Sequence, residues 1–165
     1  DELRQLVLPA AAGSVVMILS NLESVKEMGP KFRYKKKEGK QSFEHPYRPW
    51  EADMTDPDEA ASFRLYKATQ NQNEWLLYTL PCLWSFNFLG GAVPYIGRFT
   101  PFATFGGACA WAYFNGKYAK GYTQSAEGRL PGFRSRLSVF KFFAFGSIGA
   151  MACVLARSAG IALPQ

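Results

Sequence analysis

The chain has 165 residues, the size of one compact unit, with 48% apolar residues and a formal net charge of +6. Cys82, Cys109 and Cys153 lie singly in separate apolar blocks and His45 is the sole histidine, so neither structural zinc nor a disulfide framework is supported, and buried inert thiols are expected. The near-neutral mean hydropathy averages apolar blocks with one polar stretch, residues 27–74, a segregation that a soluble helical protein does not show.

In chain order, the first apolar block covers residues 6–22 (LVLPAAAGSVVMILSNL). It lacks the basic leading region of a signal peptide and is read as a helix that stays in the chain. A basic, then Pro- and acid-rich loop is predicted over residues 28–58, inside a single domain spanning 1–165. Asp56-Pro57-Asp58-Glu59 is a start signal for a long second helix, whose apolar block covers 75–93. The third block is 99–118 and the fourth 137–156. Each is about 17–20 residues, the length of helix that crosses a hydrocarbon core of roughly 30 Å, and no period-2 alternation suggests a barrel. The fold expected is therefore all-α, an integral membrane left-handed four-helix bundle.

The basic residues give this topology an independent test. Arg4, Arg98 and Arg157 fall on the side of the termini, and the other sixteen of the 19 Lys and Arg residues fall on the side of the loops 1–2 and 3–4. The positive-inside rule then puts both large loops in the cytoplasm and both termini on the non-cytoplasmic side. Beside a membrane span, the basic run 31–37 reads as a topology marker touching anionic headgroups rather than as a nucleic-acid site. Gly146 and Ala150 in the fourth block, and Gly106-Gly107-Ala108 in the third, suit close helix packing. Trp84, Phe86 and Phe88 read as packing or interface anchors.

Chemistry concentrates at the cytoplasmic ends of the second and third helices. Lys67, Asn71, Glu74 and Tyr78 follow at i, i+4, i+7 and i+11, one helix face. Tyr118, Tyr122, Ser125 and Arg129 repeat the spacing if the third helix continues through Gly121 and Gly128. Such stripes face protein or a wet cavity rather than lipid. They suit a multiply charged ligand, and equally an interhelical salt bridge of Glu74 with Lys67 or Arg129.

Two segments carry a resemblance. Phe63-Arg64-Leu65-Tyr66-Lys67-Ala68-Thr69-Gln70-Asn71-Gln72-Asn73-Glu74 resembles the second-helix signature of the MAPEG family of membrane-bound glutathione transferases, an Arg-Ala-x-x-Asn-x-x-Glu core. The stretch from Lys117 through Tyr118, Gly121 and Tyr122 to Arg129 is similar to the end of that family's third helix, nearest the leukotriene C4 synthase and microsomal glutathione transferase 3 branch. The resemblance implies a homotrimer that holds glutathione as co-substrate in cytoplasm-facing clefts between subunits, without a metal. It implies Arg129 as the catalytic cation at the glutathione thiolate. Arg33, Lys67, Asn71, Glu74, Lys117, Tyr118 and Tyr122 then match glutathione-binding positions. The reaction implied is conjugation of lipophilic electrophiles or reduction of lipid hydroperoxides.

The chain also differs from the signature. Lys67 stands for an arginine, Thr69 for a Gln or His, Trp75 for an aromatic hydroxyl and Gln124 for an arginine, and residues 38–58 form an insert. These differences keep a second reading open, a non-catalytic accessory subunit of a larger membrane complex or a lipid-binding protein. Membrane lipids are partners in either case, and nucleic acid in neither. The endoplasmic reticulum is the first membrane expected and a mitochondrial membrane the second.

Overall fold

The structure is a computed structural model that describes residues 2–37, 57–125 and 127–161. Helix α1 is Glu2–Lys37, α2 Pro57–Gly91, α3 Thr100–Gln124 and α4 Leu130–Ser158, and no strand occurs among the described residues. Around the bundle the order is α1, α2, α4, α3. Helices α2 and α3 also touch across the diagonal, while α1 and α4 barely meet. The all-α, four-helix expectation holds.

Element boundaries sharpen the sequence reading. Helix α1 runs past the apolar block to Lys37, continuing through Gly29 and Pro30. The loop predicted from residue 28 thus starts no earlier than residue 38, and residues 38–56, with His45, lie outside the described residues. Helix α2 begins at Pro57, where a missing N–H costs nothing. Helix α3 passes through Gly121 but stops at Gln124, because Ser125 is extended with φ −158 and ψ 159.

Polar and apolar residues are distributed in an unusual way. Thr79, Asn87, Thr100, Thr104, Asn115 and Arg136 are buried, whereas Leu77, Phe102, Phe145 and Ile148 are 72%, 78%, 67% and 60% exposed. The buried threonines satisfy their hydroxyls within their own helices, Thr79 on the Trp75 carbonyl at 2.6 Å and Thr104 on the Thr100 carbonyl at 2.8 Å. The interior therefore accepts hydroxyls at low cost beside an apolar core of Met17, Leu83, Phe86, Trp111 and Phe143, and many further large apolar side chains lie on the outer surface.

This arrangement bears on membrane spanning. Among the described residues, by length and composition, α4 alone is long and apolar enough to cross a membrane, with 17% of its apolar stretch buried, and Val7–Glu23 of α1 is apolar but shorter. Helices α2 and α3 were expected to qualify too. Their hydropathy is diluted by Thr79, Asn87, Thr100, Thr104 and Asn115, all of which face inward.

Small residues mark the crossings. A side chain on Gly13 would meet the Ala108 Cβ, one on Gly146 the Phe86 ring and one on Gly107 the Phe143 ring. Phe86, Phe142 and Phe143 form one aromatic group, with centroids 5.0 Å apart for Phe86–Phe142 and 5.7 Å for Phe86–Phe143. Of the three aromatic anchors, Phe86 is buried, Trp84 donates to the Ser14 Oγ at 3.0 Å, and exposed Phe88 stacks on Trp84. The three cysteines are free and half-buried rather than fully buried.

At the crossing of α3 and α4, a Cβ on Gly132 would strike the Tyr118 backbone, which cannot rotate away. Gly132→Ala is therefore expected to destabilise by about 1–3 kcal/mol. Gly116→Ala, which meets nothing within 4 Å, should be neutral or stabilising by up to ~1 kcal/mol through helix propensity. Denaturant midpoints of the two variants check this.

Candidate functional site

The cytoplasm-end expectations converge where α2, α3 and the start of α4 meet. Helix α2 runs antiparallel to the end of α3, and three bonds set their register. Arg64 Nε donates to the Thr123 carbonyl at 3.3 Å, Asn71 Nδ2 to the Tyr118 hydroxyl at 2.9 Å, and Gln72 Nε2 to the Asn115 carbonyl at 3.1 Å. Tyr118 and Tyr122 are both buried on one face of α3, with ring centroids 5.8 Å apart.

Arg129 joins them by a different route from the one expected. It is not a continuation of the α3 stripe but the residue that caps the N-terminus of α4. The turn between α3 and α4 needs glycine twice, since a Cβ at Gly121 or at Gly128 would collide with the carbonyl of the other. Ser125 Oγ accepts from the Gly128 N–H at 2.9 Å and steadies the turn. The Arg129 guanidinium then lies 4.9 Å over the Tyr122 ring. None of its N–H donors is bonded to a described residue. An anion or a thiolate can be held there, because arginine keeps its charge and a fixed cation favours the thiolate form.

The remaining expected residues divide. Lys67 Nζ donates to the Gln70 Oε1 at 3.4 Å, and Gln70 Nε2 donates to the Glu74 Oε1 at 3.3 Å, so Gln70 links them along exposed α2. Among the described residues Glu74 pairs with no cation, and the interhelical salt bridge weighed as the plain alternative is not formed. Tyr78 continues the stripe but is 64% exposed. Lys117 lies 4.8 Å over the Tyr113 ring, on a different face of α3 from Tyr118. Arg33 is on the last turns of α1, and its side chain lies outside the described residues.

Beneath the tyrosines is a network that sequence reasoning missed. Asn115, fully buried on α3, donates from Nδ2 to the Asn21 Oδ1 of α1 at 2.7 Å and accepts at Oδ1 from the Arg136 Nη1 of α4 at 2.7 Å. Its carbonyl takes the Gln72 bond from α2, so one side chain and its own backbone join all four helices. Asn21 extends the network, donating to the Asn73 Oδ1 at 3.2 Å. The Arg136 guanidinium is 1% exposed and lies 4.4 Å over the Tyr118 ring and 5.6 Å over the Trp75 ring. Its Nε and Nη2 have no hydrogen-bond partner, and no carboxylate among the described residues pairs with it. The available signal was Asn115 inside an otherwise apolar block, since a polar residue there needs an interior partner.

Tyr118 therefore sits between two arginines, with Arg136 on its own ring and Arg129 on the adjacent Tyr122. No group of His, Cys, Asp or Glu among the described residues could hold a metal ion. No protein-family model matches the chain, and no curated protein matches it.

Removing Asn115 would strand a buried cation. Asn115→Leu is expected to cost about 3–5 kcal/mol. The double variant Asn115→Leu with Arg136→Met should recover most of that loss. A double-mutant cycle on denaturant midpoints measures the coupling.

Proposed function

We propose that the chain is an integral membrane protein of MAPEG type that conjugates or reduces lipophilic electrophiles with glutathione. In this reading a left-handed four-helix bundle crosses the bilayer four times, with both termini on the non-cytoplasmic side and the endoplasmic reticulum as its membrane. The outward apolar and inward polar surfaces support the membrane part, since lipid is the solvent in which such a surface is stable. The basic bias of the loops 1–2 and 3–4 supports the orientation.

The observation that carries the catalytic part is the Arg129 guanidinium, which lies over Tyr122 and is bonded to no described residue, while Tyr122 packs on the Tyr118 that Asn71 holds. A glutathione sulfur at that edge would be held as thiolate. It would attack an electrophilic carbon, forming a C–S bond while the leaving atom takes the displaced electron pair. With a hydroperoxide, two glutathiones would give the disulfide, an alcohol and water. The resemblance would assign the ligand's ammonium to Glu74, which is exposed, and its carboxylates to Lys67 and Arg33. A neighbouring subunit of a homotrimer would supply the other wall of the cleft.

A second reading has its own support. Asn71 and Tyr118 are bonded to each other and Lys117 is stacked on Tyr113, so three expected ligand contacts are engaged within the protein. A non-catalytic accessory subunit of a larger membrane complex, or a lipid-binding protein, would have that arrangement.

Two measurements test these readings. In membranes, the protein should resist alkaline carbonate extraction, and its release to the supernatant would overturn the integral reading. Calorimetry on the purified, folded protein should show glutathione binding that Arg129→Ala and Glu74→Ala each weaken by more than about tenfold, or 1.4 kcal/mol. Absence of binding by a folded trimer would leave the accessory or lipid-binding role.

A further inference from the structure

Far from the tyrosine cluster, where α1 and α3 begin, an open groove of about 790 Å³ separates these two helices. Phe105 precedes Tyr118 by thirteen residues of α3, roughly 20 Å along the axis. Leu8 and Ala12 of α1 and Phe102 and Phe105 of α3 form the groove's apolar walls. Among the described residues two polar ones line it, Gln5 and Arg98, and both sit at the end nearest the start of the two helices. From Arg98 to Gly106 the groove extends about 12 Å.

Two further features point to an occupant. The Arg98 guanidinium lies 4.7 Å over the Phe99 ring, exposed and bonded to no described residue, so its donor edge is available at the mouth. At the far end Gly106 lines the groove, and a Cβ placed on it meets nothing within 4 Å. An apolar slot with one cation at its mouth is complementary to an amphiphile with an anionic head. A second copy of this chain, itself positively charged, would leave Arg98 without a counter-charge.

We infer that this groove is a binding site for an anionic phospholipid, with an acyl chain along Leu8, Ala12, Phe102 and Phe105 and the phosphate on Arg98. The inference rests on the membrane reading above but not on the glutathione site, which lies at the other end of α3. The head group sets the selectivity. A phosphatidylglycerol phosphate meets the guanidinium unopposed, whereas the choline ammonium of phosphatidylcholine competes with Arg98 for it.

Native mass spectrometry of the delipidated full chain, with phosphatidylglycerol or phosphatidylcholine added singly, tests the site. The wild type should retain phosphatidylglycerol about fivefold better, the scale of one cation at a membrane surface. Arg98→Ala should make the two lipids equal while still binding both. Gly106→Phe, which fills the groove, should lose the retained adducts of both, and Gly106→Leu is a second blocking variant. Only variants with wild-type helical circular dichroism are scored. Equal retention by the wild type, or wild-type retention by both blocking variants, overturns the proposal. A protein that binds glutathione yet shows no lipid preference refutes the groove alone, and one extracted by carbonate refutes the membrane reading beneath it.

Discussion

The bundle depends on a cation that no carboxylate among the described residues neutralises. Arg136 is buried at the crossing of α3 and α4, and what offsets its desolvation is one short bond to Asn115 and the faces of Tyr118 and Trp75. Burying a guanidinium costs several kcal/mol, and aromatic faces return about 2 kcal/mol or more when the contact is desolvated. Asn115 has to be held in one orientation for its oxygen to meet Arg136. Asn21 on α1 fixes that orientation by taking the amide donor. The positions of all four helices thus follow from the hydrogen-bond valence of one asparagine.

This interior shapes the outer surface. Beside a core of Met17, Leu83, Phe86, Trp111 and Phe143 the interior holds hydroxyls, amides and a guanidinium, while many other large apolar residues face outward. In water such a surface would be a broad aggregation liability, and in lipid it is the expected one. Gly13, Gly107, Gly132 and Gly146 let backbones and rings approach closely.

The candidate site inherits its geometry from the same network. Tyr118 is fixed from below by Arg136 and from the side by Asn71, and it in turn positions Tyr122. Arg129 arrives from the next helix, placed by a turn that Gly121 and Gly128 alone allow to be so tight. A cation stacked on a buried ring is preorganised, because the entropy of its long side chain is already lost before a ligand binds. Lys67 and Glu74, on the exposed side of α2, remain adaptable and suit recognition of a ligand's ends.

Much of the architecture was legible in the residue order. The apolar blocks, the Pro57 start of α2 and the two stripes, one through Lys67, Asn71 and Glu74 and one through Tyr118 and Tyr122, are local patterns set by helical period and by proline's missing donor, and they yielded four helices and the chemistry-bearing faces of α2 and α3. What only the tertiary structure decided is which polar residues meet. Asn21, Asn115 and Arg136 are far apart in the chain, and no local rule distinguishes an arginine at a membrane boundary from one in the bundle core. The end of α3 at Gln124 was likewise undecided, since whether Gly121 continues a helix or serves a tight turn depends on the approach of Gly128. Periodicity and composition are properties of neighbours along the chain, while burial of a charge depends on partners brought together by packing, and for that reason the sequence indicated Arg129 and was silent on Arg136.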